Sequence, residues 1–185
     1  MSHSFAPSRR LFLRYSTNVA VAGASLPFTS RAFAGPPRTR SLALDHTHTH
    51  EKVSLAYARG NRYFPEALGR LNRFLRDHYT GDVGTIDPQL FDILHRITLA
   101  LSTQGAYQVI SGYRCPATNN RLRTTRGGGV AKRSLHMDGK AIDVRLPGVP
   151  LAELRDAALS LQAGGVGFYP QDQFVHIDTG RVRSW

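Results

Sequence analysis

The sequence predicts an α+β domain in which helices pack on one face of a small antiparallel sheet. Two segments of helical period, each introduced by a proline, come early in the chain. Short alternating segments bounded by Gly, Pro and Asp cluster later, and the last two read as a hairpin. No internal repeat is visible, so helices first and strands later point to that class.

The chain has 185 residues, enough for one domain with a real core. Residues 1–34 stand apart from it. Ser8-Arg9-Arg10-Leu11-Phe12-Leu13-Arg14 precedes an apolar, small-residue run from Val19 to Phe28. Ala32-Phe33-Ala34 then offers small side chains where a signal peptidase reads. The pattern resembles a twin-arginine export signal, which predicts a periplasmic mature chain. A membrane span needs about 20 apolar residues; this run is shorter and is broken by Ser25, Pro27 and Thr29.

Residues 35–60 read as a lead-in. Prolines, Ser and Thr surround His46-Thr47-His48-Thr49-His50, an alternation expected to be exposed and at most a weak collector of metal. Lys52 to Ala58 alternates as a strand does, and Asn61 to Phe64 completes a short hairpin. The domain proper is expected over 61–185. Pro65 to His78 predicts a helix with Leu68, Leu71, Phe74 and Leu75 on one face, leaving Arg73, Arg76 and Asp77 to solvent. Asp87 caps a second helix with Pro88 at its first position and a stripe from Leu90 to Leu101. His78 and His95, lone histidines on these helices, read as surface or boundary residues.

Tyr107 to Ile110 is a strand candidate. Residues 115–135 show no period and carry Arg121, Arg123, Arg126, Lys132, Arg133 and the run Gly127-Gly128-Gly129, so a long, basic, mobile loop is expected, functional or disordered, its basic side chains either solvated or binding substrate carboxylates. Ala141 to Leu146 predicts a strand, and Pro150 to Gln162 a helix ended by Gly164-Gly165. Val166–Tyr169 and Phe174–Asp178 form the closing hairpin around Pro170 to Gln173.

Lys and Arg total 24 against 13 Asp and Glu, a formal charge of +11. Without residues 1–34 it is +7. In the periplasm nucleic acid is a poor partner for that charge, whereas murein carboxylates and an anionic membrane surface remain. The single cysteine, Cys115, forms no internal disulfide, and with no histidine beside it burial is its expected state.

Two histidines and an aspartate can hold zinc with a fourth position open to water. Ser134-Leu135-His136-Met137-Asp138-Gly139-Lys140-Ala141-Ile142-Asp143 supplies one of each, and Val175-His176-Ile177-Asp178 supplies the second imidazole. Period two places His176 and Asp178 on one strand face. Spacing alone leaves His176 open as a satisfied core histidine and Asp178 as a turn residue. No HExxH helix, paired CxxC, GxSxG elbow or phosphate loop competes.

These segments carry a family resemblance over residues 107–185. Ser134-x-His136-x-x-Gly139-x-Ala141-x-Asp143, Ser111-Gly112-Tyr113-Arg114 and the late His176 resemble the zinc murein peptidases of the LAS clan. Asn119-Asn120, Gly165-Val166-Gly167, Gly180 and Arg183-Ser184-Trp185 bring the chain nearest to the clan's twin-arginine-exported, murein endopeptidase K-like branch, formerly a domain of unknown function. The resemblance implies a LAS-type zinc peptidase fold, Zn as cofactor on His136, Asp143 and His176, and peptidoglycan stem peptides or cross-links as substrate. It also implies that Arg114 lies beside the metal cleft, to stabilise developing charge or clamp a carboxylate. Many clan members place an acidic base three residues before the last histidine, where this chain has Gln173. Asp178 is therefore the preferred proton-handling group, with orientation of a ligand as its alternative role and Asp172 one step from the usual position. Gln173 keeps open a non-catalytic periplasmic zinc- or murein-binding protein. The charge keeps open a basic adaptor at the inner-membrane surface.

Overall fold

The structure, a computed structural model, describes residues 38–125 and 130–185. The export-signal pattern, Arg126 and Gly127-Gly128-Gly129 lie outside the described residues. The elements run β1 (Thr39–His46), β2 (Lys52–Arg59), β3 (Arg62–Tyr63), α1 (Pro65–Phe74), α2 (Pro88–Ala100), β4 (Tyr107–Ser111), α3 (Pro116–Thr125), β5 (Ala141–Arg145), α4 (Leu151–Ser160), β6 (Gly165–Tyr169), β7 (Phe174–Asp178) and β8 (Arg183–Ser184).

The class is α+β as the sequence predicts, but the sheet is larger than expected and mixed. Its eight strands lie in the order β3-β2-β1-β4-β5-β7-β6-β8. The β1/β4 and β6/β8 pairs are parallel, and the others are antiparallel. Within the expected lead-in, Lys52–Arg59 form β2, as their alternation predicts, and Thr39–His46 form β1, which joins the early hairpin to β4.

Helices α1 and α2 begin where their prolines allow. Neither Pro65 nor Pro88 has an N–H to leave unpaired in a first turn. The Asp87 carboxylate accepts from the Gln89 N–H at 3.0 Å, capping α2. Its other oxygen accepts from the Thr179 hydroxyl at 2.8 Å, and the Asp87 N–H donates to the Gly139 carbonyl at 2.9 Å. The α2 cap is thus tied to the turn between His136 and Asp143 and to the segment that follows β7. Leu71 of α1, Leu90, Leu94 and Ile97 of α2 and Leu154 of α4 are fully buried in one core with Val109, Ile142, Val144 and Val175 from the sheet.

Residues 115–135, expected as a loop, include α3. Its buried residues are Thr118 and Asn119, so it has no apolar stripe for periodicity to register. Asp77, expected in solvent, is only 1% exposed. Its carboxylate accepts the N–H groups of Cys115 and Tyr79, both at 2.9 Å, fastening the segment before α3 to the end of the α1 region. Cys115 is buried, as expected. His46 is also buried, against the expectation of an exposed histidine run, and its Nδ1 accepts from the His48 N–H at 3.2 Å in the tight turn into β2.

Candidate metal centre

Strand alternation divides β5 and β7 between two surfaces. Ile142, Val144, Val175 and Ile177 join the core, so Asp143 and His176 point to the opposite face. The two are direct cross-strand partners in the antiparallel β5/β7 pair. Residues 33 apart in sequence are thereby held on rigid backbone with His176 Nδ1 at 2.8 Å from Asp143 Oδ1.

His136 arrives from the turn that precedes β5. The N–H groups of Met137, Asp138 and Gly139 each donate to the carbonyl three residues earlier, which coils the turn. Gly139 closes it at φ +65°, and a Cβ there would collide with the Thr85 carbonyl, so the position requires glycine. The His136 ring then reaches Asp143 Oδ2 through Nε2 at 3.2 Å. Its Nδ1 lies 2.7 Å from the Gly112 carbonyl, which can only accept, so that nitrogen carries the hydrogen.

One ligand atom each from His136, Asp143 and His176 lies within 4.8 Å of the others. The donor set suits a divalent ion. With its hydrogen on Nδ1, His136 turns Nε2 to a carboxylate oxygen at 3.2 Å, a contact made attractive by a proton or a metal ion between the two atoms. His176 is bracketed by Asp143 and by Asp178, whose Oδ2 is 3.2 Å from Nε2. Burial opposes a charge on this ring, but hydrogen bonds to the two carboxylates prevail and raise its pKa to about 9. Burial alone would likewise raise Asp143, yet the two imidazoles hold it well below the usual carboxylate range. The proton between His176 Nδ1 and Asp143 is the one a metal ion would replace.

Asp178 is on the same strand face as His176, as period two requires, but its carboxylate is fully enclosed. Oδ1 accepts from the N–H groups of Gly165 at 3.1 Å and Gly180 at 2.8 Å, and the Arg183 guanidinium donates to both oxygens. Burial would raise this carboxyl, but these donors and His176 hold it well below its ordinary value. Gln173, at φ 59°, turns its side-chain amide back to the Pro170 carbonyl within the β6–β7 turn.

The triad opens into a cleft of about 580 Å³. Arg114 lies in it, 3.3 Å from the Ser111 hydroxyl and 3.8 Å from Asp143 Oδ2. Ser111 reaches this side through a β-bulge. Val109 opposes Val144 and faces the core, whereas Ser111 opposes Asp143 across the register shift, so the intervening residue changes the face. Arg133 and Asp172 also line the cleft, while Arg121 lies over the Tyr79 ring at 4.2 Å.

Sequence reasoning assigned no role to several lining residues. Tyr169 and Phe174 stack at 4.6 Å, the Trp185 indole N–H donates to the Tyr169 hydroxyl at 2.7 Å, and the indole sits 5.3 Å from the His176 ring. On another wall His48 and His78 stack at 4.2 Å. Trp185 and Arg183 did occur in the pattern of the resemblance. His48 and His78 gave no signal, because the rings come from segments 30 residues apart.

The sequence profile described as peptidoglycan L,D-endopeptidase MepK matches residues 35–185. Proteins named peptidoglycan L,D-endopeptidase MepK from Escherichia coli (strain K12) and Shigella flexneri are each 45% identical over 181 residues, covering 98% of both chains. A Haemophilus influenzae protein named as a probable peptidoglycan L,D-endopeptidase MepK is 39% identical over 168 residues, or 90% of each chain. On a profile that spans the whole described domain and relatives that match nearly end to end, the chain belongs to the peptidoglycan L,D-endopeptidase MepK family.

Proposed function

We propose that this chain is a zinc-dependent murein endopeptidase that hydrolyses peptide cross-links of peptidoglycan in the periplasm, which it reaches by twin-arginine export. The observation that carries the reading is the convergence of His136, Asp143 and His176 on one ion-sized triangle at the floor of a cleft. Family membership supplies the substrate class. Two imidazoles and one carboxylate with an open side are the donor set of a catalytic zinc, and Arg9-Arg10 with Ala32-Phe33-Ala34 supports the route.

Bound here, zinc would supply Lewis acidity, activating a water and polarising the scissile carbonyl. The chain's own groups do the rest. Gly112 and Asp178 aim the two imidazoles, which fixes the nitrogen each offers. Arg114, steadied by Ser111, supplies positive charge where the carbonyl oxygen becomes anionic. Asp178 is saturated by donors, so its enclosure supports the orienting role over proton transfer. Asp172 is the acidic residue among the described residues of the cleft lining outside the triad, which supports it as the group that passes a proton to the leaving amine. The aromatic wall of Tyr169, Phe174 and Trp185 offers a surface for the stem peptide.

Purified protein incubated with crosslinked muropeptides should release products, lose that activity to a chelator and regain it with zinc. Equal product with and without chelator would contradict the metal reading. One observation favours a second reading, a murein-binding protein without turnover: Gln173 stands where an acidic base is usual and is spent on the turn. That reading predicts muropeptide retention and no product in any sample.

A further inference from the structure

Asp178 has two oxygens in unequal surroundings. Oδ1 is fixed by two backbone amides and by Arg183 Nη1 at 3.1 Å. Oδ2, the oxygen that meets His176 Nε2, receives no backbone N–H among the described residues; apart from His176 its donor is Arg183 Nη2, at 2.7 Å. The amides can pin one end of the carboxylate, but they leave its rotation about that end open. The planar guanidinium fork, bonding both oxygens at once, closes that freedom.

The surroundings are shaped to admit this fork. A Cβ at Gly165 would strike both Arg183 Nη1 and Asp178 Oδ2. A Cβ at Gly180 would come within 2.9 Å of Asp178 Oδ1 and 3.3 Å of Arg183 Nη1. Two positions therefore forgo a side chain where the pair sits. Arg183 is held from the other side as well, with its guanidinium 4.7 Å from the Trp185 ring centroid and Nη1 donating to the Arg181 carbonyl at 3.1 Å. Trp185 is itself fixed by backbone bonds to Phe168 at 3.0 Å and Val166 at 3.3 Å.

We propose that Arg183 is a positioning residue that, through Asp178, fixes the orientation of the His176 imidazole and so selects the ring nitrogen offered to the metal ion. The inference rests on the metal reading of His136, Asp143 and His176 and deepens it. Asp178 requires the hydrogen of His176 on Nε2, which leaves Nδ1 for the side shared with Asp143. Arg183 never touches the ion; it keeps Oδ2 where that choice is enforced. The other imidazole, His136, is set independently by Gly112 and serves as an internal control.

The test measures zinc affinity of the full-length protein by competition with a chelator, beside nitrogen-15 spectra of the zinc-loaded imidazoles. In Arg183→Met the zinc dissociation constant should rise about 10- to 100-fold, the usual effect of losing an outer partner of a ligand. The His176 ring signals should shift while those of His136 stay in place. Arg183→Lys, which keeps the charge but not the fork, should recover part of the loss. Were Arg183→Met to lose its fold, seen as displaced His136 signals, Arg183→Lys alone decides: a rise of about 3-fold or more is expected. Affinities within about 2-fold of the parent, with unchanged His176 signals, would overturn the positioning role. Failure of the parent protein to take up zinc would instead overturn the metal reading beneath it.

Discussion

Nε2 of His136 and Oδ2 of Asp143 face each other at 3.2 Å, while the other nitrogen of the same ring is committed to the Gly112 carbonyl. A ring nitrogen and a carboxylate oxygen held in that way call for a proton or a metal ion between them. Asp143→Ala removes one ligand and half of the bracket around His176. Zinc content should fall from about one ion per chain to near zero, and the rise in Tm that zinc gives the parent should vanish. Elemental analysis and thermal melts with and without zinc check both.

The two nearby aspartates should separate by phenotype. Asp178→Asn weakens the hold on His176 Nε2, so zinc affinity should drop about 10- to 100-fold. Asp172→Asn leaves the ligands intact, so zinc content should hold while kcat falls about 100-fold or more and the pH dependence of kcat changes shape. Metal titration and a pH–rate series on muropeptide cleavage measure the difference. Reversed phenotypes would exchange the two roles.

Gly112 is placed for close approach. A Cβ there would come within 2.6 Å of the Leu75 carbonyl and 2.9 Å of the Leu75 Cβ, and the same residue's carbonyl holds His136. Gly112→Ala should cost about 1–3 kcal/mol from overpacking and lower Tm by about 3–10 °C. Zinc affinity should fall with it, because a displaced carbonyl releases Nδ1 of His136. Calorimetry and chelator competition read the two effects together.

His46 predicts an acid-sensitive fold. Burial first, then the neighbouring His78, His48 and Arg76, lower its pKa to about 4, against a weaker opposing pull from Glu51. The unfolded chain binds this proton at about pH 6.5 and the folded chain at about 4. The stabilisation is therefore complete above pH 6.5 and is lost as pH falls from there to about 4, on the order of 2 kcal/mol. His46→Asn keeps a side-chain acceptor for the His48 N–H and removes the titration. Its Tm should decline less than the parent's over that range, and parallel declines would contradict the assignment.

What the sequence made legible follows from which forces leave a local trace. α1 and α2 were readable because proline placement and an apolar stripe are local signals. The cross-strand pairing of Asp143 with His176 could be anticipated only as a motif, since register joins segments far apart. β1 was hidden by the histidine- and threonine-rich turn that follows it, although Leu42 and Leu44 alternate into the core. α3 was hidden because it buries Thr118 and Asn119 rather than hydrophobes. The bulge between Val109 and Ser111 has no sequence signature, yet it turns Ser111 to Arg114. Asp77 looked solvated because its partners, the N–H groups of Tyr79 and Cys115, are backbone groups that no composition reveals.

The central claim is that one metal ion is held by His136 Nε2, the Asp143 carboxylate and His176 Nδ1. Anomalous diffraction at the zinc absorption edge, on crystals of the natively purified protein, locates such an ion directly. A single strong peak among those three groups is the predicted result. A map with no peak there after zinc is added, or with its peak at the histidines of residues 46–50, would contradict it.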